Sequence, residues 1–527
     1  MTETAKAAPG RDTSRDGLRN KLEEFVLTGF KPFWRFINGN PSLSRIVNRL
    51  IVNNAVLKAP ARPLALSTMA PYSSWASLTD RTWFARYLPP ADQSSRPPID
   101  SVAALFALRP EGPRLSTRST LLFPYFAEWF TDGFLMTDAA DRRRTTTSHQ
   151  IDLGQLYGAS AAVTDALRLH SQMPGQKGRL KSDITPTGEW APRLYDSAGQ
   201  KAAEFAALPD PIHLPPGWPP AKLATIFAFG GERANSTAYT AAINTLFLRE
   251  HNRLAGMLES ANSGWDDERV FQTARNIGIV QLIKIVVEEY INHISPYWFQ
   301  LLADPAPCYK AIWNRENWIP VEFNLLYRWH SLVPETAIWN DAEIAMADIC
   351  FDNSAPLRDG LAAALNSASR SKAWQLGLFN TSAMLAAVER ASIAQGRTNQ
   401  LASYNDYRAI MRYPRVTRFE QISSDPAIIV RLREVYQHVD NIEFYAGLFA
   451  EDLPDRSAVP RLIGRMVAVD AFSHALTNPL LSPHVYNETT FTAAGMAAIG
   501  ATSRLQDLAA RNNASGAGGP VTMEQTV

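Results

Sequence analysis

Tyr327 and His330, three residues apart in the run from Val321 to Glu335, are the pair whose types and spacing best fit chemistry. On a helix, positions three apart lie on one side and about 4.5 Å apart along the axis, so both side chains can address one bound object. A neutral imidazole is a good iron ligand. A phenol beside an oxidised iron centre can lose an electron and a proton, becoming a radical able to take hydrogen from carbon. Iron ligation and radical chemistry thus share one predicted helix. Leu326 and Trp329 flank the tyrosine and would line an apolar pocket for a substrate. The plain alternative is a buried aromatic beside a hydrogen-bonded histidine, and spacing alone does not separate the two.

The elements that must position this pair read mostly as helices from about Ser67 onward. Ile243, Leu246, Phe247, Leu254 and Met257 fall at helical spacings, and Val280, Ile283, Val287 and Ile291 repeat the pattern. No series of alternating strands appears, so the expected class is mainly α. Between roughly Leu18 and Leu57, short helical pieces interrupted at Gly29, Pro32, Gly39 and Pro41 carry Phe25, Phe30, Phe33, Trp34 and Phe36 beside Lys31, Arg35, Arg45 and Arg49. Such a composition suits either a packed helical layer or insertion into one leaflet of a membrane. Nine prolines between Pro174 and Pro220 predict a long irregular loop rather than a separate domain.

Composition bounds the remaining possibilities. A chain of 527 residues can bury a large core. Its 52 basic and 51 acidic residues leave a net charge of +1, which gives no electrostatic case for nucleic acid. Cys308 and Cys350 are the only cysteines; a bridge between them has no sequence support, and so small a count fits a reducing compartment. The first twenty residues are polar and charged, without the apolar core of a secretion signal. The expected location is therefore cytoplasmic, or peripheral on the inner face of a membrane, and not secreted. The strongest apolar window, Ile277 to Ile294, is interrupted by Gln281, Lys284, Glu288 and Glu289, which argues against a spanning helix. Small polar ends predict disorder over 1–17 and 511–527.

The run around Tyr327 resembles the proximal-haem segment of the animal-type haem peroxidase superfamily, in particular its prostaglandin synthase (cyclooxygenase) branch. Leu248-Arg249-Glu250-His251-Asn252-Arg253 is similar to that family's Arg-Glu-His-Asn-Arg signature, and Gln150 to Gly158 to its Val-Asp-Leu-Gly-x-Ile-Tyr-Gly segment. Phe444 to Leu448 and Asn478-Pro479 resemble the C-terminal part, so the similarity runs from about Phe25 to about Phe491. The resemblance implies one large helical peroxidase-like domain over 61–510, preceded at 18–60 by amphipathic membrane-binding helices. It also implies one noncovalent haem b per chain, since Thr131 and Ser236 stand where haem-esterifying carboxylates occur in leukocyte-type relatives. A homodimer is compatible with it.

Carried onto this sequence, the resemblance makes His330 the proximal iron ligand and Tyr327 the catalytic radical, with Asn324, Thr137 and Tyr445 in the haem surround. The distal side departs from the family pattern. Where relatives carry Ala-Gln-His-Phe-Thr-His, this chain reads Ala127-Glu128-Trp129-Phe130-Thr131-Asp132, so the distal glutamine is Glu128 and the distal histidine Asp132. Either peroxide cleavage loses general acid/base help of about 10² to 10⁴ in rate, or a desolvated carboxylate takes that role. Arg233 resembles a distal arginine and would either polarise peroxide or pair with Asp132. On the substrate side Tyr297 matches the channel-constriction tyrosine, but its partner arginine is absent from Asn53-Asn54-Ala55-Val56, leaving Arg49, Lys58 and Arg62 as the nearest cations. Ala471 falls where relatives have the serine that aspirin acetylates, and Gly464 where they have a bulky aliphatic residue, which predicts a wider channel.

The leading expectation is a haem-dependent fatty-acid dioxygenase of cyclooxygenase type, in which a Tyr327 radical takes hydrogen from an acyl chain before O₂ adds. The alternatives are a peroxidase using a distal carboxylate, a fatty-acid α-dioxygenase, and a noncatalytic haem-binding protein.

Overall fold

The computed structural model describes residues 13–58, 80–314, 318–514 and 519–525. Half of it is helical and 9% is strand, the mainly α class expected. Three helices open the chain: α1 (Thr13–Thr28), α2 (Lys31–Asn38) and α3 (Pro41–Val56). The helices that matter for the site follow as α4 (Leu122–Asp132), α5 (Ala238–Ala261), α6 (Asp267–Ile285), α7 (Val321–Leu326), α8 (Ala386–Thr398), α9 (Phe444–Ala450) and α10 (Arg461–Ala475).

α5 is buried almost all round, and a helix with almost no exposed face must sit at the centre of its fold. It packs against α4, α6, Leu361–Arg370 and Leu505–Arg511. Its start is fixed by a capping box in which Thr237 accepts from the Thr240 N–H and the Thr240 hydroxyl accepts from the Thr237 N–H. α6 runs on through a π-turn at Val286–Ile291 into Asn292–Ile294. By length and composition Asp267–Ile294 could cross a membrane, but 72% of its most apolar window is buried within the fold. The π-turn rotates the residues after it, which is how neighbouring side chains come to face different spaces.

The signature run in α5 clamps the proline-rich excursion. His251 Nε2 lies 2.8 Å from the Gly178 carbonyl and must donate to it, which leaves Nδ1 to accept from the Tyr157 hydroxyl at 2.9 Å. Burial holds this imidazole neutral by pushing its pKa down to about 4. Asn252 Oδ1 accepts from the Leu180 N–H, and Arg249 Nε donates to the Glu189 carbonyl. Within the excursion Asp183–Thr185 and Gly188–Trp190 form a short antiparallel hairpin. Leu115–Thr120 pairs with Lys372–Trp374, and Thr336–Trp339 with Ala342–Ala345. Asn340 and Asp341, with φ of 48° and 64°, make the tight turn of the last hairpin.

The ends differ from expectation. α1 begins at Thr13, inside the stretch expected to be disordered, while residues 1–12 lie outside the described residues. The C-terminal end is packed rather than loose. The Thr120 N–H donates to the Met523 carbonyl, the Gln525 N–H donates to the Arg118 carbonyl, and Val521 and Met523 are buried. Two buried apolar side chains and edge-strand hydrogen bonds outweigh the small polar composition that predicted disorder. Arg62 and the last two residues of the 18–60 segment also lie outside the described residues. Cys308 and Cys350 are both free thiols.

Candidate active site

Tyr327 and His330 do not share a helix. α7 stops at Leu326, Tyr327 leaves it at φ −92° and ψ 12°, and His330 opens a separate 3₁₀ turn, His330–Leu332. Between them the chain closes through the Arg328 N–H on the Leu325 carbonyl and the Trp329 N–H on the Tyr327 carbonyl. These short bonds replace the helical ladder, so Tyr327 and His330 are aimed independently. Both still face inward. Glu128, Tyr327 and Arg328 keep accessible surface although each is deep in the protein, and the His330 side chain is 15% exposed, so they wall an interior cleft.

Behind the imidazole stands a carboxylate. His330 Nδ1 lies 3.2 Å from Glu389 Oε1, within ion-pair range but not aligned as a hydrogen bond. Glu389 is buried in α8, where it accepts from the Thr381 hydroxyl at 2.9 Å and, on its other oxygen, from the Tyr445 hydroxyl at 2.6 Å. Tyr445 from α9 therefore acts on the histidine through Glu389. Asn324 accepts from Arg328 Nη2 at 2.7 Å and donates to the Leu135 carbonyl and to Thr137 Oγ1. Thr137 also accepts from Gln395 Nε2, so it ties together Asn324 and Gln395, the two residues whose oxygens meet Arg328.

The distal helix α4 ends on Asp132, which is 2% exposed. Its Oδ2 accepts from the backbone N–H of Arg233 at 3.1 Å, and its Oδ1 has no partner. Burial drives its pKa from 3.8 up to about 7, against the pull of the Arg233 charge. Among the described residues the Arg233 guanidinium makes no ion pair with Asp132; the contact between the two is through the backbone. Gly231 permits this approach, since a Cβ there would stand 2.0 Å from Asp132 Oδ2. Glu128 accepts from the Ser236 hydroxyl at 2.8 Å, and burial raises its pKa while Arg233 and His330 draw it down. Glu128, Arg233 and His330 therefore share one cleft. His149, the histidine nearest α4 in sequence, is spent elsewhere: Nε2 donates to the Arg81 carbonyl and Nδ1 accepts from the Ile319 N–H.

The donor set fits a haem. No described residue hydrogen-bonds His330 Nε2, while a carboxylate stands behind Nδ1, the arrangement that orients a metal-bound imidazole. Arg142 and Arg328 both reach Gln395 Oε1, at 2.8 and 3.5 Å, and the Nε of each is buried without a partner. Burial and the charges of Arg233 and Arg142 push Arg328 down to about 9, and His213 is lowered by burial and by the same three arginines. Such a cationic cluster calls for anions, and the two propionates of a porphyrin supply them.

On the far side of Tyr327 lies an aromatic stack. Its ring is 5.1 Å from Trp329 and 5.1 Å from Phe323, and 6.4 Å from Tyr290. The Tyr327 and Tyr290 hydroxyls are buried and influence each other's acidity, yet they do not form a well-aligned hydrogen bond. Burial raises both phenols, so both keep their protons. A cavity of about 980 Å³, counting its open mouth, runs between α1, α3, the π-turn and α10. Tyr297 and Gly464 line it, as do Ile291 and Phe472. Leu326, Trp329 and Ala471, expected on its wall, are buried and do not, and Tyr327 itself is not among its lining residues. Among the described residues this cavity does not reach Tyr327: Ile291 and Phe472 face it, whereas the ring of Tyr290, next in sequence to Ile291, lies against Tyr327.

Two residues of this constellation escaped the sequence reading. Tyr290 lies seven positions before Tyr297, the residue matched to the channel constriction, and that proximity was the available signal. Glu389 shares the buried side of α8 with Ser392, Ile393 and Gln395, a face too polar to mark one acid, and its partner 59 positions away is set only by the fold.

A mainly helical scaffold that presents one imidazole to an internal cleft, backed by a carboxylate and ringed by arginines, defines a haem-binding oxidoreductase. The chain belongs to the animal haem peroxidase family, whose model matches residues 127–517. It is 30% identical over 484 residues to prostaglandin G/H synthase 1 of Rattus norvegicus, covering 89% of this chain and 76% of that protein. It is 29% identical over 483 residues to prostaglandin G/H synthase 2 of Equus caballus, with the same coverage. Among solved structures, the fatty acid alpha-dioxygenase of Oryza sativa superposes with a TM-score of 0.70 at 15% identity, covering 96% of each chain. Peroxidase A from Dictyostelium discoideum gives 0.66 at 19% identity, covering 84% of this chain and 95% of that one. These last two share the fold.

Proposed function

We propose that the protein is a haem-dependent fatty-acid dioxygenase in which Tyr327 abstracts hydrogen from an acyl chain. The observation that carries this reading is the Tyr327 phenol itself: buried, protonated, without a good hydrogen-bond partner, and packed against Tyr290, whose neighbour Ile291 lines the cavity. His330 would hold a haem, with Arg142 and Arg328 placed to meet its carboxylates, and the bound group would supply a one-electron oxidant able to take the electron and proton of the Tyr327 phenol. Tyr327 gives up its electron and proton together to that oxidant, while Trp329, stacked on the ring, and Phe323, edge-on to it, hold it in place and keep water from it. The phenoxyl oxygen takes a hydrogen atom from the acyl C–H, restoring the phenol and leaving a carbon radical. O₂ adds to that carbon, and the peroxyl radical recovers a hydrogen atom from Tyr327, giving a lipid hydroperoxide and regenerating the phenoxyl. Asp132, kept protonated to about pH 7, is the proton donor on the distal side.

The cavity favours mid-chain over α-oxidation. Arg461 and Arg465 open α10 and Phe472 lies 11 positions after Arg461, so the cavity follows about 16 Å of helix from its charged end to Phe472. A carboxylate held at the charged end leaves the middle or tail of the chain nearest Tyr327, whereas α-oxidation needs the carboxylate beside it. Ile291 and Phe472 must turn aside to admit the chain.

The outer faces of α1 to α3 expose Leu22, Phe25, Phe33, Phe36 and Leu50 at 51–64%, while Trp34 and Ile37 turn inward. That sidedness supports a monotopic membrane contact at the cavity mouth. The test is O₂ uptake by the haem-reconstituted protein with linoleate, arachidonate and palmitate, against Tyr327→Phe. Lipid-dependent uptake abolished by the substitution is expected. Peroxidase turnover without lipid-dependent uptake would refute the proposal in favour of a plain peroxidase.

A further inference from the structure

The cavity below α1 has one polar end, and its charges are sorted by element. Lys58, just past α3 and 8% exposed, donates from Nζ to both oxygens of Glu23 at 2.6 and 2.8 Å. Arg461 Nη2 donates to Glu24 at 2.9 Å. Arg465 lies 4.0 Å from the centroid of the Tyr413 ring and donates to Asn20 Oδ1 and the Met411 carbonyl. Among the described residues the carboxylates that line the cavity, Glu23 and Glu24, come from α1, and the cations Lys58, Arg461 and Arg465 come from the end of α3 or from α10. Without α1 the polar end would be a cluster of three positive charges at the head of an apolar pocket.

We infer that Lys58, with Arg465 beside it, is the anchor for the carboxylate of a bound fatty acid, and that Glu23 on α1 holds that place until the ligand displaces it. The inference rests on the fatty-acid reading above. A buried ammonium left alone is costly, but exchanging one carboxylate for another keeps the pair, so burial of the acyl chain decides the outcome. Glu23 can leave without penalty of burial, since its side chain is already 22% exposed. Burial is the main cause that brings Lys58 down to about 8, followed by the charge of Arg465, so at neutral pH it is mostly charged and has need of one anion. Displacing Glu23 needs only a turn of its own side chain, since α1 is held on either side of it: Asn20 donates to the Arg412 carbonyl, and the Val26 and Leu27 carbonyls accept from Trp34 Nε1 and the Trp298 N–H. This places the specificity for an acid over an alcohol or ester on a lysine outside the segment where relatives carry their arginine.

The experiment is calorimetric titration of the haem-loaded full chain, under argon, with linoleate and with linoleyl alcohol. Lys58→Met is expected to weaken linoleate about tenfold or more while leaving the alcohol unchanged, and Lys58→Arg to restore the acid. Glu23→Gln is expected to tighten linoleate several-fold, because the competing anion is gone, again without effect on the alcohol. Glu23→Gln weakening linoleate, Lys58→Met weakening acid and alcohol alike, or no linoleate binding by the unaltered chain would each overturn the inference. Binding under argon needs no turnover, so a chain that binds linoleate through Lys58 yet takes up no O₂ refutes only the dioxygenase reading.

Discussion

Asp132→Asn distinguishes a buried proton donor from a merely structural carboxylate. Asp132 is 2% exposed, one of its oxygens has no partner, and burial lifts its pKa from 3.8 to about 7. The folded state therefore holds this proton more tightly than the unfolded chain does, and stability falls as pH rises from the unfolded value towards the folded one, with the loss complete above it. Roughly three pH units at about 1.4 kcal/mol each make roughly 4 kcal/mol, of which about 2 to 3 kcal/mol falls between pH 5 and pH 8.5. At this burial solvent screening removes little of it. Asparagine keeps the shape and has no charge to desolvate, so the variant should gain about 2 to 3 kcal/mol on the unaltered chain over that interval in urea unfolding of the haem-loaded protein. Titrations common to both chains cancel in the comparison. Infrared spectroscopy gives the direct readout, a protonated carboxyl carbonyl band that fades around pH 7 and is missing from the variant. Equal stability differences at both pH values, together with no such band, would show that Asp132 ionises like a surface acid, and the distal proton donor would be lost with it.

Glu389→Gln should lower haem affinity by about 10- to 100-fold, read as faster transfer of haem to apomyoglobin, because the carboxylate that orients His330 is replaced by an amide. Unchanged transfer would remove Glu389 from the proximal site. Gly231→Ala would put a methyl group 2.0 Å from Asp132 Oδ2 and 2.9 Å from the Gln155 Cα, and should destabilise the protein by about 1 to 3 kcal/mol while moving the infrared transition away from pH 7. Cys308 and Cys350 are both free, so thiol titration in denaturant without reductant should count two thiols per chain.

The class of the fold and the segments of the site were legible because they are local. Helical periodicity around Ile243 and Val280 marked α5 and α6, and the motif runs marked where α4, α7 and α9 lie. What misled was context that periodicity does not carry. A helix through Tyr327 and His330 was the natural reading of their spacing, yet the chain breaks at Leu326 so that the phenol and the imidazole are aimed by separate turns. The C-terminal residues looked disordered because their composition is poor in large apolar groups, but Val521 and Met523 suffice when an open strand edge at Leu115–Thr120 takes their backbone. Trp329, Leu326 and Ala471 were assigned to a channel wall from their neighbours in sequence, whereas the wall is set by which side of α10 and of the π-turn faces the cavity.

The distal side shows why sequence left two outcomes open. Replacing a histidine with an acid at position 132 gives a proton donor near neutral pH only if burial outweighs every nearby cation, and Arg233 is one position along from the glutamate-bearing turn that touches it. Had the guanidinium of Arg233 closed on Asp132, the carboxylate would be ionised throughout the physiological range and useless as a donor. The structure instead brings the backbone N–H of Arg233 to Oδ2, while its charge pulls on Asp132 less than burial does and also bears on Glu128, Arg142 and Arg328. Asp132 thus takes the peptide of Arg233 directly and feels its side chain only across the cleft. That division depends on the glycine pair at 230 and 231, whose missing Cβ atoms let the loop lie against Gly158 and Asp132, and it sets whether the distal acid can carry a proton at all.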